Sequence, residues 1–424
     1  MYNKRMFKNT VLFFVLLIVL SGCSVKKQVI ADNNKNIVIS EAVSTVDIIT
    51  GAENFSAYLP LLQDKKVGVV TNQTGIVNYK IPYSTTIADG KPLRPITKHL
   101  VDYLLEHGIA VEKIYAPEHG FRGVADAGEL IVDGKDAKTG LPIVSLYGDN
   151  KKPKPEQLEG IDILLFDLQD VGARFYTYIS SLHYVMEACA EINLPLIILD
   201  RPNPNGAIVD GPILEKEFTS FVGMHPIPVL HGMTIGEYGK MINGEKWLKD
   251  SIQCNLTVIP CLHYRRDMDY SLPVKPSPNL PNDKAINLYA SLCFFEGTNV
   301  SVGRGTDKQF QIYGSPFLPQ GDFSFMPLPN LGSKNPLHNN VVCHGEDLSE
   351  ISPVKRLRLK WLIEAYENTA DKSTFFTPFF TKLAGTKLLR VQIEQGLSEK
   401  EIRNTWEKGL EEFLEMRKTY LIYN

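Results

Sequence analysis

The chain has 424 residues, of which 44% are hydrophobic and 10% aromatic, so it can bury more than one hydrophobic core. Its formal charge is only −3, and no run of lysine and arginine is longer than a pair. Because a nucleic-acid partner normally requires a basic stripe on the protein, this balance argues against nucleic-acid binding. The length favours two domains.

The first residues are organised like an export signal. Three basic residues precede the apolar segment "VLFFVLLIVL" (11–20), which is too short to span a bilayer comfortably. The next residues, "LSGC" (20–23), resemble the bacterial lipobox and predict a lipoprotein signal peptide over residues 1–22. An uncleaved N-terminal anchor is the alternative.

Cys23 would then be the lipidated first residue of the mature chain. We expect an exported lipoprotein on the periplasmic side of a bacterial membrane, and we favour the outer membrane. Without the three basic residues of the leader, 42 basic residues stand against 48 acidic ones, and the formal charge becomes −6. Residues 23–50 are polar, lack helical periodicity and are predicted to tether the folded part to the membrane.

The other five cysteines form no C-x-x-C pair, so neither a zinc site nor a disulfide framework is indicated. Cys189 and Cys293 lie in apolar runs, which is typical of core residues. Cys254 and Cys261 are the two that could pair in an oxidising compartment. The nine histidines show no metal-ligand spacing, and nothing in the sequence indicates a metal or an organic cofactor.

Short apolar runs alternate with amphipathic segments, a pattern typical of βαβ units and a mostly parallel sheet. Strands are predicted at 66–71, 111–116, 161–167 and 194–200, and helices at 96–108, 178–193 and 234–243. Thr234 and Glu237 form a capping-box pattern at the start of the last helix.

A proline-rich segment, "SLPVKPSPNLPND" (271–283), interrupts this alternation, because proline cannot continue a helix or a central strand. We place the domain boundary there, with residues 51–270 as the first domain and 271–424 as the second. The second domain is predicted to contain a strand at 287–297 and helices at 355–369 and 398–423.

Polar side chains follow each predicted strand of the first domain at its carboxyl end, the edge where an open parallel sheet binds ligands. The residues are Asn72 and Gln73; Glu118, His119 and Arg122; Asp167, Gln169, Asp170 and Arg174; and Asp200, Arg201 and Asn203. These amide, carboxylate and guanidinium groups suit a ligand rich in hydrogen bonds, and a sugar fits that description.

Nucleotide-binding motifs do not fit the chain. The nearest approach to G-x-G-x-x-G, "GRGTDK" (303–308), follows no βα turn of the first unit, and the P-loop motif is absent. The G-x-S-x-G and H-E-x-x-H motifs are absent as well, which argues against serine hydrolases and zinc peptidases.

Glycoside cleavage needs a carboxylic acid that protonates the leaving oxygen and commonly a second carboxylate as base or nucleophile. Glu118 is the best candidate for the acid, because it lies at a strand end on a loop flanked by glycines. From the pattern alone, a turn in which Glu118 serves as a cap is an equally good interpretation. Asp167 and Asp200 are also candidates for hydrogen bonds to their own turns.

Four arginines exceed what acid–base chemistry needs, namely Arg122, Arg174, Arg201 and Arg304. A planar guanidinium binds a carboxylate through two parallel hydrogen bonds, so these residues are candidates for binding a substrate carboxylate. The alternative is that some of them pair with nearby aspartates.

Seven segments together resemble the exo-β-N-acetylmuramidase family known as NamZ. They occur in order within residues 55–424 and read "VVTNQTG" (69–75), "YAPEHGFRG" (115–123), "FDLQDVGARFYTYI" (166–179), "LDRPNPNG" (199–206), "GMTIGEYGKMING" (232–244), "SPNLP" (277–281) and "FFEGTNVSVGRGTDKQF" (294–310). These segments also contain Tyr176 and Asp307, which we add to the predicted substrate-binding residues.

The resemblance implies a Rossmann-like first domain, a smaller α+β second domain and an active site in the cleft between them. It also implies release of N-acetylmuramic acid from the non-reducing end of peptidoglycan fragments, with Glu118 as the catalytic glutamate. N-Acetylmuramic acid carries a lactyl carboxylate, which the arginines are predicted to recognise.

The second carboxylate is open. We favour Glu296, with Asp170 as the alternative, and a third option is that the 2-acetamido group of the substrate acts as the nucleophile. A competing function is non-catalytic binding of muropeptides for uptake in the same cleft.

Overall fold

The computed structural model describes residues 47–79, 96–122 and 133–424. The predicted signal peptide, Cys23 and almost all of the predicted tether lie outside these residues. No helix within the described ranges is long and apolar enough to cross a membrane.

Strands and helices alternate through much of the described chain. The strands are β1 (Lys66–Thr71), β2 (Ile76–Tyr79), β3 (Ile96–His99), β4 (Ala110–Ala116), β5 (Gly134–Lys135), β6 (Pro142–Ser145), β7 (Ile163–Asp167), β8 (Leu196–Leu199), β9 (Leu256–Ile259), β10 (Ile312–Ser315), β11 (Ser324–Phe325) and β12 (Cys343–Asp347). The α-helices are α1 (Phe55–Leu62), α2 (Leu100–Glu106), α3 (Pro155–Leu158), α4 (Tyr178–Glu191), α5 (Ile235–Gly244), α6 (Asp283–Leu292), α7 (Lys360–Asn368), α8 (Phe380–Ala384), α9 (Leu388–Glu394), α10 (Glu399–Asn404) and α11 (Glu407–Lys418).

A seven-stranded sheet in the order β5-β6-β4-β1-β7-β8-β9 forms the centre of the fold. Its neighbouring strands are parallel except for the edge pair of β5 and β6. Leu164 and Phe166 of β7 belong to the hydrophobic cluster with α4 and α5, whereas Ile163 and Leu165 belong to the cluster with α1 and α2. Burial on both faces explains the continuous apolar runs, and the predicted α/β class with a mostly parallel sheet is confirmed.

The predicted helix over 96–108 is wrong at its start. Ile96–His99 forms β3, which pairs antiparallel with β2, and α2 begins only at Leu100. His99 ends the strand and caps the helix, because its Nδ1 accepts a hydrogen bond from the Val101 N–H at 3.2 Å.

The predicted strand over 287–297 is wrong as well, because these residues belong to α6 and to a 3-10 helix at Cys293–Gly297. Asn282 caps α6 by accepting a hydrogen bond from the Ala285 N–H at 2.9 Å. Ala285 and Leu288 are buried at helical spacing. The apolar run is thus a buried helix, which periodicity alone does not distinguish from a buried strand.

The C-terminal third combines a small antiparallel sheet, in the order β10-β12-β11, with helices α7 to α11. Ser398 and Glu401 form a capping box that starts α10, and α11 follows as a separate helix. One hydrophobic cluster extends from Phe166 of the central sheet to Phe413 of α11, and Ile48–Asn424 forms one compact unit.

Candidate active site

A cleft opens beyond the carboxyl end of β4, where α4 begins. It contains about 410 Å³ of atom-free space that is partly open to solvent. The cleft is lined by the loop after β4, the start of α4, the proline-rich segment, α6 and the glycine-rich loop (residues 298–311) that precedes β10. The lining residues are Glu118, His119, Phe175, Tyr176, Thr177, Tyr178, Ser277, Asn279, Leu280, Tyr289, Arg304 and Phe310. Both predicted domains therefore contribute to the cleft.

Glu118 is presented to the cleft by a sharp turn after β4. His119 and Gly120 both have a φ of 73°, in the left-handed region. A non-glycine residue in this conformation is strained, and such strain is often found at functional sites. The hydroxyls of Tyr147 and Thr177 donate hydrogen bonds to the two carboxyl oxygens of Glu118, to Oε1 at 2.9 Å and to Oε2 at 2.8 Å. The carboxyl group is thereby held in one orientation.

Arg304 reaches the same cleft from the glycine-rich loop. Its neighbours Gly303 and Gly305 have φ of 77° and 81°, and a Cβ atom on either would lie 2.6 Å from another atom. The Arg304 Nε donates a hydrogen bond to Glu296 Oε1 at 2.6 Å, and the guanidinium lies 5.2 Å from the ring centroid of Phe310. Burial acts against the charge, but the Glu296 carboxylate outweighs it and raises the pKa of Arg304.

The two terminal nitrogens of Arg304 have no hydrogen-bond partner among the described residues. These nitrogens can bind a carboxylate through two parallel hydrogen bonds. Arg304 is therefore oriented by Glu296 and still able to bind an anionic group in the cleft.

Glu296, the favoured second carboxylate, does not line the cleft. Its Oε1 binds Arg304, and its Oε2 lies 3.5 Å from the thiol of Cys293. Among the described residues that line the cleft, Glu118 is the only carboxylate. The geometry makes Glu296 a positioning residue for Arg304.

Asp170, the alternative second carboxylate, is buried outside the cleft lining. Its Oδ2 accepts a hydrogen bond from the Gly172 N–H at 2.6 Å and lies 3.7 Å from His231 Nε2. Burial raises the pKa of Asp170 to about 7 and lowers the pKa of His231 to about 3. His231 is therefore neutral at pH 7, whereas Asp170 titrates near that pH, and neither group faces the cleft.

Arg174, predicted to bind substrate, is fully buried and does not line the cleft. Its guanidinium donates hydrogen bonds to four backbone carbonyls, those of Pro212 and Ile227 at 2.7 and 2.8 Å and those of Leu383 and Ala384 at 3.0 and 2.7 Å. Burial lowers the pKa of Arg174 to about 9. The structure corrects this prediction, because Arg174 joins the end of α8 to the loops before α5.

Arg201 and Arg122 are paired with aspartates, as the alternative interpretation proposed. The buried Arg201 donates to Asp167 through Nε at 2.6 Å and Nη2 at 3.0 Å, and also to the Ile76 carbonyl at 3.1 Å. Arg122 lies outside the cleft lining, and its Nη2 binds both oxygens of Asp136 at 2.8 Å. Neither arginine presents its guanidinium to the cleft.

Asp200 is buried at the start of α5. Its Oδ1 accepts a hydrogen bond from the Gly236 N–H at 2.8 Å, and its Oδ2 accepts from the hydroxyls of Thr234 and Tyr423 at 2.7 and 2.6 Å. Burial raises the pKa of Asp200 to about 6. The predicted capping box of Thr234 and Glu237 is present beside it. Asp200 therefore organises the helix start and does not reach the cleft.

Asn72 and Gln73 support the cleft from behind its lining. Asn72 Nδ2 donates a hydrogen bond to the Tyr178 hydroxyl at 2.6 Å, and Gln73 Nε2 donates to the carbonyls of Lys275 and Pro276 at 3.1 and 3.2 Å. They position one lining side chain and the proline-rich segment.

Gln169 and Asn203 connect loops outside the cleft. Gln169 Nε2 donates to the carbonyls of Asp170 and Pro202, both at 2.8 Å, and Asn203 Nδ2 donates to the Met233 carbonyl at 2.9 Å. Their role in the structure is to hold neighbouring turns together.

Of the predicted site residues, the structure brings Glu118, His119, Tyr176 and Arg304 together at the cleft. Asp307 is exposed and does not line it. The described residues contain no group of three or more His, Cys, Asp or Glu side chains that could hold a metal ion.

Residues at the site that were not predicted from the sequence include Tyr147, Thr177, Ser277, Asn279 and Tyr289. Thr177 lies in the segment "FYTYI", and Ser277 and Asn279 lie in "SPNLP". These two motifs are the sequence feature that could have indicated them. Tyr147 follows β6 and had no local signal, because it meets Glu118 only in the folded protein.

Family models match the chain along most of its length. The N-terminal model of the exo-β-N-acetylmuramidase NamZ matches residues 67–284, and the C-terminal model matches residues 287–423. The chain belongs to the NamZ exo-β-N-acetylmuramidase family. The two matches meet directly after the proline-rich segment, and residues from both of them line the cleft.

Several proteins similar to this NamZ family member are known. The peptidoglycan β-N-acetylmuramidase NamZ of Bacillus subtilis is 40% identical over 390 residues, which cover 86% of this chain and 89% of that protein. A DUF1343 family protein of Bacteroides fragilis, known from a crystal structure, is 45% identical in sequence to this chain. The two structures superpose with a TM-score of 0.79, and the match covers 89% of this chain and 99% of that one. A second DUF1343 family protein of the same organism is 28% identical with a TM-score of 0.70 and the same coverage.

Proposed function

We propose that the protein is an exo-acting glycoside hydrolase that releases N-acetylmuramic acid from the non-reducing end of peptidoglycan fragments. Its NamZ family membership and its 40% identity to a peptidoglycan β-N-acetylmuramidase support this activity. The observation that carries the proposal is the Glu118 carboxyl, held by two hydroxyl donors at the edge of a polar and aromatic cleft.

The reaction breaks the bond between the anomeric carbon and the glycosidic oxygen. The oxygen receives a proton and leaves with the rest of the fragment, and water supplies the hydroxyl on the anomeric carbon. We assign the proton donation to Glu118. Tyr176 contacts Tyr178 and Tyr289 edge to face, with ring centroids 4.8 and 5.9 Å apart, and these rings offer a rigid wall to the sugar.

Arg304 is proposed to bind the lactyl carboxylate, the group that distinguishes N-acetylmuramic acid from N-acetylglucosamine. Glu296 holds its Nε, so the terminal nitrogens keep one orientation toward the substrate. This arrangement reduces the conformational freedom that Arg304 loses when the substrate binds.

The 2-acetamido group of the substrate is the nucleophile that we favour. Its carbonyl oxygen would attack the anomeric carbon as the leaving oxygen departs, and water would then open the resulting ring. Two successive inversions retain the configuration at the anomeric carbon. The support for this choice is that Glu118 is the only carboxylate among the described cleft-lining residues.

The decisive experiment uses a disaccharide whose non-reducing sugar is N-acetylmuramic acid. The wild-type protein is expected to release free sugar, and Glu118→Gln is expected to lower the rate by about a thousandfold because the proton donor is lost. Glu411→Gln changes an exposed glutamate of α11 and serves as the matched control. Thermal unfolding of both variants verifies the fold.

Two outcomes would contradict these assignments. Retention of the disaccharide without release of sugar would identify a binding protein for muropeptides. Proton NMR of the first product tests the nucleophile, because the acetamido route gives the β-anomer first, and the α-anomer would exclude it.

A further inference from the structure

A basic groove lies on the surface of the C-terminal third, well removed in sequence from Glu118. It contains about 1140 Å³ of atom-free space that is largely open to solvent. Its lining consists of Ile351, Ser352, Pro353, Val354, Lys355, Arg356, Arg358, Lys360 and Trp361. This stretch contains four cationic side chains and no acidic one, in a chain whose formal charge is −3.

The charge of the basic groove is largely uncompensated. Lys360 forms an ion pair with Glu364, with 3.5 Å between Nζ and Oε1. No carboxylate of the described residues lies within 4.0 Å of Lys355, Arg356 or Arg358. Lys355 and Arg356 are exposed, so both can reach a ligand in the groove.

The basic groove is held in place by α6. The Val354 N–H donates to Asn287 Oδ1 at 2.8 Å, and the Arg358 N–H donates to Ser291 Oγ at 3.0 Å. Asn287 and Ser291 share one face of α6, whereas Tyr289, which lines the cleft, lies on another face. The basic groove and the cleft are therefore separate sites on two sides of the same helix.

The shape and chemistry of the groove favour a chain-like acidic ligand. Arginine and lysine bind carboxylates through charge-assisted hydrogen bonds, and the concave apolar lining of Val354 and Trp361 fits a narrow polymer better than a flat membrane. Peptidoglycan strands carry free carboxylates on the lactyl groups of N-acetylmuramic acid units that lack a peptide and on the peptides of the other units.

We propose that the basic groove binds carboxylate groups of a peptidoglycan strand and holds the polymer while its end occupies the cleft. The identity of the polymer rests on the proposed function, whereas the preference of the groove for a carboxylate-bearing chain does not.

The test is binding to insoluble peptidoglycan by proteins that also carry Glu118→Gln, so that hydrolysis does not consume the ligand. Lys355→Gln with Arg356→Gln is expected to weaken binding about tenfold at low salt, because two charge-assisted contacts are lost. Raising the salt concentration is expected to reduce the difference, since screening weakens exposed charge pairs. Lys400→Gln with Lys408→Gln, on exposed positions of α10 and α11, is the matched control and is expected to bind like its parent.

Two further arms identify the ligand. Amidation of the peptidoglycan carboxyls is expected to abolish the difference between the two double variants, and vesicles of anionic phospholipid are expected not to bind through the groove. Equal binding of both double variants to native peptidoglycan would overturn the proposal, as would groove-dependent binding to vesicles alone. If binding depends on the groove but the wild type releases no sugar from the disaccharide, the proposed function fails and the groove assignment stands.

Discussion

Arg304 and Arg122 are both arginines on loops near the cleft, yet their guanidinium groups have different surroundings. Asp136 binds Arg122 with both carboxyl oxygens, so a substrate carboxylate would have to displace it. Glu296 binds only the Nε of Arg304, and the two terminal nitrogens have no hydrogen-bond partner among the residues that the structure describes. Although both residues are arginines, the hydrogen bonds that each guanidinium already makes decide which of the two can bind substrate.

Replacement of Arg304 tests this assignment. Arg304→Gln is expected to lower kcat/KM for the disaccharide with the lactyl group by about thirtyfold, because a charge-assisted hydrogen bond contributes about 2 kcal/mol. The same variant is expected to act almost unchanged on an analogue without the lactyl group. Arg122→Gln is the control and is expected to keep the wild-type preference. An unchanged preference in Arg304→Gln would remove this residue from substrate recognition.

Asp170 makes the stability of the protein depend on pH. Burial raises its pKa from 3.8 to about 7, so the folded protein retains a proton that the unfolded chain has lost. The contribution to stability is complete below pH 3.8 and is lost as the pH rises through about 7.

Asp170→Asn removes this titration. The free energy of unfolding of the wild type is expected to fall relative to that of the variant between about pH 4 and about pH 7 and to level off above that range, as measured by urea denaturation. Parallel pH profiles for the two proteins would show that Asp170 does not titrate in this range.

At the scale of elements, the end of α8 is joined to the loops before α5 through one side chain. Arg174 supplies hydrogen bonds to two carbonyls on each side, and no water can replace it without entering the core. The contact links residues that are about 210 positions apart in the chain.

Arg174→Met is therefore expected to lower the free energy of unfolding by about 3 kcal/mol, because four buried carbonyls lose their partner. Arg390→Met, which removes a partly exposed arginine paired with Glu394 in α9, is expected to change it by less than about 1 kcal/mol. Thermal and urea unfolding of both variants measure the difference. Similar losses in the two variants would contradict the structural role of Arg174.

At the scale of the whole molecule, we propose that a lipid on Cys23 anchors the protein to a bacterial membrane. Cys23→Ser is expected to move the protein from the membrane fraction to the soluble fraction and to abolish incorporation of labelled palmitate. Lys27→Gln, which changes a neighbouring residue without removing the thiol, is expected to leave both unchanged. Membrane association of the Cys23→Ser variant would favour the uncleaved N-terminal anchor.

The sequence by itself determined the α/β class, the parallel strands β1, β4, β7 and β8, and the position of Glu118 at a strand end. These features depend on local information, because a strand buried on both faces must be continuously apolar and its carboxyl end must meet the ligand edge of the sheet. The resemblance to the NamZ family rested on short motifs of the same local kind.

Only the tertiary structure decided which polar residues share the cleft. Thr177 meets Glu118 across 59 positions and Arg174 meets Ala384 across 210, and no local pattern contains such pairs. The apolar run of α6 likewise became a helix through its cap and its burial. Hydrogen-bond partners depend on proximity in space, so the assignment of Arg304 to the substrate and of Arg174 to the scaffold required the folded chain.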